Sequence, residues 1–448
     1  MKHIKTLTII VLIAIHATLM AQPTTYSNEA IRTDLAYLKC KLEQYHPNLY
    51  TYSSKEQIDR WFEEQLLQLP ETISKKDAFK IITSIAPLLK DGHAYIYPSA
   101  EHLNAFYNTA PLFPLDVFLM NDQLVVVGQQ DSTQRIPLGS VITKINGTSV
   151  EEIQASIVQH IGRDGDNLGY PQHLFYKFFP AYYSFFYGFS STFDIEYIST
   201  TSERKAVSIQ GQTRAAMRTM RNDEVSSGIQ LQLIPSSQAA ILTIKSFDKT
   251  ILKKDYQQRF KKEISKAFQI IASKGITHLA VDLRDNQGGA LSNGIYLLQY
   301  LLQNPFQCVH SYYVMRNGKR KQLHTKWDNY FKPRRKHHFE GEVFLFLNGG
   351  SYSCSAIVAN TFKDSERGQI LGEMSGGSAY VNSGGPNELI TLPNTKITFT
   401  IPRTQYNLRA QLHTIGLGVV PDIVVPDTPN RILNDGDPYI ETFKHLIE

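Results

Sequence analysis

Hydrophobic positions recur at helical spacing in the first quarter of the chain and at strand spacing after it. Ile31, Leu35, Leu38 and Leu42 lie three or four residues apart, as one buried helix face requires. Ser53 and Glu56 then form a capping-box pattern ahead of Ile58, Trp61, Phe62 and Leu66, and 74–89 repeats the helical habit. These segments predict an N-terminal helical domain over 22–108, closed by Asp91-Gly92-His93 and the alternating Tyr95 and Tyr97. From 109 the pattern shortens to strands at 115–120 and 124–127, then to 141–147, a strand closed by the turn dipeptide Asn146-Gly147 with a helix from about Val150. Between Pro171 and Phe193 aromatic residues crowd together, among them Phe175, Phe179, Tyr183 and Phe186. Packing between domains is the default reading of such a run, and a groove for apolar ligands is the alternative.

Beyond 211 strands and helices alternate. Strands are predicted at 240–244, 279–283 and 343–347, with helices over 253–273 and 291–302 and after Ser353, followed by a hairpin of 389–392 and 397–401 around Pro393-Asn394. Such alternation belongs to an α/β layer with a mainly parallel sheet. The expected fold is therefore multidomain α/β: a helical domain over 22–108, a β-rich domain over 109–210 with the aromatic segment, and an α/β domain over 211–448.

Composition narrows the address and the partners. Lys2 and Lys5 precede an apolar run from Leu7 to Met20, and Ala21 precedes Gln22, the layout of a secretory signal peptide over 1–21. The expected location is periplasmic or secreted, with no stable membrane insertion after cleavage. A formal net charge of +5 is too small to imply a nucleic-acid partner. One local excess, Lys332 to His338, reads as a solvated loop face. The three cysteines, Cys40, Cys308 and Cys354, are too few and too scattered for a disulfide framework or a clustered metal site, and no cofactor is expected.

Two predicted strands end in a glycine pair that leads into a helix. One turn is Asn348-Gly349-Gly350, after which Ser353 stands at the start of a helical pattern; the other is Asp285 to Gly289. Ligands bind at the carboxyl ends of strands in an open α/β sheet, and free N–H groups at a helix start favour developing negative charge. Ser353 is thus a candidate nucleophile, with Cys354 N–H and a glycine N–H of Gly288 or Gly289 as oxyanion donors. Ser351, Ser353 and Ser355 as ordinary helix caps are the competing reading. A phosphate cradle is disfavoured, because neither turn ends in Gly-Lys-Ser/Thr.

The segments DLRDNQGG, FLNGGSYSCSA and LGEMSGG, in this order, resemble the C-terminal-processing (tail-specific) serine peptidases, a family that includes tricorn-related enzymes. The opening helices, the Asp91-Gly92-His93 step, a PDZ-like piece within 109–210 and the terminal Gly418-Val419-Val420-Pro421-Asp422 resemble it too. The resemblance implies hydrolysis of peptide bonds in proteins or peptides through an acyl-enzyme on Ser353. Members of the family activate the serine with a downstream lysine or an N-terminal histidine. No lysine lies between Lys363 and Lys396, so His93 is the implied base, with His46 as a second choice. Tricorn-like members carry a serine before that histidine and a glutamate near the terminal segment; here Gly92 precedes it and no such glutamate is found. Asp91 or Glu373 would have to orient the ring. Cys354 as a thiol nucleophile, Arg284 as a holder of a substrate carboxylate, and a non-catalytic binding protein of the same fold with a small apolar ligand are the alternatives.

Overall fold

The computed structural model describes residues 25–129, 136–220, 227–316, 318–408 and 415–448; the signal-peptide expectation for 1–21 lies outside them. A six-stranded sheet forms the centre of the C-terminal half. Its order is Ile229–Ile234, Ala239–Ile244, His278–Asp282, Glu342–Leu347, Gln369–Gly372 and Ile423–Val424. The first pair is antiparallel and all the others are parallel. Strand residues alternate between two cores, because successive side chains leave a strand on opposite faces. Leu242, Leu279, Val281, Val343 and Leu345 pack against the helices Phe260–Ser273, Leu291–Leu301 and Cys354–Asp364. Ile241, Ala280, Phe344 and Phe346 pack instead on Tyr439 and Phe443 of the helix Pro438–Leu446. Both faces are covered, so all the central strands read as continuous apolar runs.

Several boundaries differ from the sequence expectation. The capping box sits one residue later, at Ser54 and Gln57, while Ser53 is buried and its hydroxyl donates to Leu88 O at 2.7 Å. The predicted helix over 253–273 is two helices, Lys249–Asp255 and Phe260–Ser273. Gln257 breaks it with a left-handed φ of 57°. That break lets the Gln258 side chain pair with both backbone groups of Ile229, accepting from its N–H at 2.8 Å and donating to its O at 2.9 Å. Likewise 74–89 divides into Lys75–Thr83 and Ala86–Leu89, with Pro87 in the first turn of the second.

A second, antiparallel sheet joins the two ends of the chain. The hairpin strands are longer than predicted, Val381–Thr391 and Thr398–Asn407, and the second of them pairs with Ile96–Tyr97 just beyond His93. Ile390, Leu392, Ile397, Phe399 and Ile401 of the hairpin share one core with Ile31, Leu35 and Leu38 of the first helix. Asp34, fully buried on that helix, accepts from Asn394 N and Thr395 N at 2.8 Å each and from Thr395 Oγ1 at 2.6 Å. Asp34→Ala would strand these donors and is expected to cost about 3 kcal/mol, read as a lowered Tm or denaturant midpoint. An unchanged midpoint would mean that this clasp contributes nothing.

The segment 109–210 folds around the strands Leu115–Met120, Gln123–Gln129, Val141–Ile145, Thr192–Ile198 and Arg204–Gln210, an antiparallel sheet with the helix Val150–Val158 beside it. Ser149 and Glu152 cap that helix reciprocally. The aromatic run forms the helices Gly169–Lys177 and Phe179–Tyr187, whose Phe175, Phe179 and Phe186 are fully buried and belong to the shared core. Among the described residues no helix is long and apolar enough to cross a membrane, and all three cysteines are free thiols.

Candidate functional site

The two glycine turns meet at the carboxyl ends of neighbouring strands and are fastened by buried polar groups. Asn348 donates its amide to Asp285 Oδ1 at 2.8 Å and to Asp427 Oδ2 at 2.9 Å, and Arg431 bridges the same two carboxylates at 3.2 and 2.7 Å. Burial tends to raise the Asp285 carboxyl, but Arg431 and Lys177 outweigh it and hold it well below the usual range. Asn286 donates to Ile244 O and accepts from Gly288 N–H, while its own carbonyl receives Tyr352 N–H and the Ser355 hydroxyl. Ser351 donates to Leu283 O at 2.9 Å. Two of the three serines are therefore internal struts.

Ser353 is different. It occupies the position before the helix Cys354–Asp364, yet its side chain makes no capping bond, and its backbone sits at φ 56°, ψ −118°. A non-glycine residue there is strained, and such strain persists where surrounding packing overdetermines it. Gly288 presses against this bend: a Cβ on it would lie 2.7 Å from both Cys354 N and Tyr352 O and 2.8 Å from Ser353 Cβ. The hydroxyl that results points at His93, whose Nε2 stands 3.0 Å from Ser353 Oγ across 260 positions of sequence.

Two backbone N–H groups flank Ser353 without an acceptor among the described residues, those of Cys354 and Gly289. Gly288 N–H is committed to Asn286 Oδ1 at 2.9 Å, which leaves Gly289 as the free donor of the pair. The carbonyl of Gly288 accepts from Phe247 N, so in the planar peptide the Gly289 N–H points the opposite way.

Burial lowers the pKa of His93 and Asp91 partly offsets it, which keeps the imidazole neutral near neutral pH. Asp91 Oδ1 accepts the His93 backbone N–H at 2.8 Å and lies 3.9 Å from Nδ1, too far for a hydrogen bond. Glu373 accepts from Asp427 N at 3.0 Å, in the network below the glycine turns, and has no bond to His93. What touches Nδ1 is the Tyr352 hydroxyl, at 2.8 Å, and that hydroxyl donates to Asp164 Oδ1 at 3.0 Å. Asp164 also accepts Gly92 N–H at 2.9 Å and Ser378 N–H at 3.0 Å. Tyr170, the first aromatic of its segment, stacks on the Tyr352 ring with centroids 3.7 Å apart. Sequence reasoning missed Tyr352 and Asp164. Their only signals were adjacency to Ser353 and a polar Asp-Gly-Asp turn.

The remaining candidates fall elsewhere. His46 is buried with its Nε2 3.4 Å from Asp91 Oδ2, on the side of Asp91 away from any bond to Ser353. Arg284 is spent on Asp282 and Asp437 at 2.7 and 2.8 Å, so it is a structural ion pair. The Cys354 thiol is buried, contacts Ala290 O at 3.7 Å and has its pKa pushed up by that burial, which removes it as a thiolate nucleophile. Asp91, His93 and Asp164 are the one His/Cys/Asp/Glu cluster of metal-binding dimensions among the described residues, and all three already serve as hydrogen-bond partners around Ser353.

A strained serine beside a neutral histidine, at a strand-to-helix turn of a parallel sheet, is the arrangement of a serine hydrolase. Residues 238–425 match the sequence profile of peptidase family S41. It is 26% identical over 170 residues to a carboxyl-terminal-processing protease of Picosynechococcus sp., covering 38% of this chain and 37% of that relative. The match thus spans little more than a third of the relative's length. Mature CPAF shares the fold with a TM-score of 0.67 at 14% identity, over 94% of this chain and 96% of the other. A putative peptidase from Parabacteroides merdae does so with a TM-score of 0.51 at 14% identity, over 94% and 97%.

Proposed function

We propose that this chain is an exported serine peptidase that hydrolyses peptide bonds in proteins or peptides through an acyl-enzyme. The 3.0 Å approach of His93 Nε2 to Ser353 Oγ carries the reading. In acylation His93 takes the hydroxyl proton as Oγ bonds to the scissile carbonyl carbon, and the carbonyl oxygen gains negative charge. Cys354 N–H and Gly289 N–H receive that charge. His93 then returns the proton to the leaving amine, and water, activated by the same imidazole, releases the acyl group.

The match to a carboxyl-terminal-processing protease supports peptide substrates, and unfolded or C-terminal segments are the class we assign. Within the chain, 109–210 serves as a PDZ-like domain that presents the substrate to the α/β domain over 211–448. A signal peptide over 1–21, cleaved after Ala21, places the mature enzyme in the periplasm or outside the cell.

A fluorophosphonate, which phosphonylates activated serines with loss of fluoride, tests the reading. The mature chain is expected to form one adduct, mapped by peptide mass spectrometry to Ser353. Absence of any adduct on a folded sample would favour the non-catalytic binding protein, with the aromatic segment as its ligand site.

A further inference from the structure

We infer that Tyr352 and Asp164 together are the positioning pair for His93, a hydroxyl–carboxylate relay that fixes which ring nitrogen carries the proton. This inference rests on the reading of Ser353 and His93 as nucleophile and base.

A phenol has one proton to give. The Tyr352 hydroxyl donates it to Asp164 Oδ1 at 3.0 Å, so toward His93 Nδ1, 2.8 Å away, its oxygen must accept. Nδ1 therefore holds the ring proton, and Nε2 presents a lone pair to Ser353 Oγ. That tautomer is the one a general base needs. When Nε2 takes the serine proton, the imidazolium is held through the phenol by the Asp164 carboxylate. The phenol itself stays protonated throughout, since burial and Asp164 push its pKa well above the usual value.

Position 92 supplies an independent observation. A side-chain carbon on Gly92 would collide with the Tyr352 hydroxyl. The serine that tricorn-like members carry there is excluded by the residue that takes over its neighbourhood. The ring is held from its other side by Tyr170, itself bonded to Tyr95 at 3.1 Å, so Tyr352 is fixed on both faces.

Around Asp164 stand the Asp91 carboxylate, His93, the phenols of Tyr52, Tyr95 and Tyr352, and the N–H groups of Gly92 and Ser378; Lys90 is taken by Asp166. Burial and then Asp91 raise the Asp164 pKa to about 7. Protonated Asp164 can donate to Tyr352, which frees the phenol to donate to Nδ1 and leaves the proton on Nε2, where it blocks the base. The sign is definite: activity should fall as pH drops through about 7, above the point where His93 itself charges, because the pKa of His93 is lowered.

The test is the rate of fluorophosphonate labelling (phosphonylation) of the mature chain between pH 5.5 and 9, with Tm measured alongside. Tyr352→Phe is expected to slow phosphonylation on the order of 10²-fold and to move the midpoint of the acid limb to lower pH. Asp164→Asn should slow it by roughly 10²- to 10⁴-fold at every pH, by favouring the wrong tautomer. The double variant should be no slower than Asp164→Asn, since the two residues form one relay. Tyr352→Phe with the parent's rate and acid-limb midpoint overturns the inference, as does a change confined to Tm. Labelling of Ser353→Ala as fast as the parent would instead overturn the nucleophile assignment itself.

Discussion

His93→Ala is expected to slow acylation of Ser353 by on the order of 10⁴-fold near neutral pH, and Ser353→Ala to abolish it. A serine hydroxyl is scarcely ionised at neutral pH, so its attack depends on proton removal as the new bond forms. With its Nε2 3.0 Å from Ser353 Oγ, His93 is the proposed acceptor of that proton, and burial lowers its pKa from the ordinary histidine value. Because the two residues act as one unit, the double variant should be no worse than Ser353→Ala alone. Hydrolysis of a fluorescently labelled unfolded protein provides the turnover rate, and fluorophosphonate labelling reports the attack of Ser353 on its own. A loss smaller than tenfold in His93→Ala would remove it as the base. His46 could not readily replace it, being buried against Asp91.

Gly288→Ala is expected to reduce kcat by roughly 10²- to 10³-fold with little change in KM, the loss seen when an oxyanion donor is removed. Gly288 has φ 95°, a region that disfavours any Cβ, and the added carbon would sit 2.7 Å from Cys354 N and Tyr352 O. Relief requires that the two turns separate. That motion misplaces Cys354 N–H, Gly289 N–H and the Ser353 bend together, although none of these residues has been altered. Backbone strain of this kind costs about 1–3 kcal/mol, so Tm should fall as well. Steady-state kinetics of the purified variant decide the point. An unchanged kcat would show that the approach of the two turns has no part in stabilising the oxyanion.

The parts of the site that follow local rules were legible in the sequence. An apolar run, a glycine break and a helical pattern placed Ser353 at a strand-to-helix turn, and the absence of a lysine between Lys363 and Lys396 pointed to His93. Local pattern alone left Ser351, Ser353 and Ser355 alike as helix caps, and it was the family resemblance that singled out Ser353. In the fold, Ser351 and Ser355 are set apart from Ser353 by their bonds to Leu283 O and Asn286 O. The neighbour of His93 Nδ1 was not legible. Tyr352 and Asp164 lie 188 positions apart, and nothing local to either announces a hydrogen bond between them. Asp91 and Glu373 were the plausible carboxylates by proximity in sequence and by motif, yet side-chain direction sends one to the His93 backbone and the other to Asp427. The break in the helix after Asp255 was equally hidden, because the apolar period continues through it and its cause is the pairing of Gln258 with the distant Ile229.

The strand Ile96–Tyr97 ties the chain's early part to a hairpin made near its end. During synthesis, His93 leaves the ribosome long before the strand Thr398–Asn407 exists to receive its neighbours, and Ser353 emerges before the hairpin is complete. A partly made chain therefore carries both His93 and Ser353 before the hairpin strand beside His93 exists. The pairing that seats the segment after His93 becomes possible only once Thr398–Asn407 has been made.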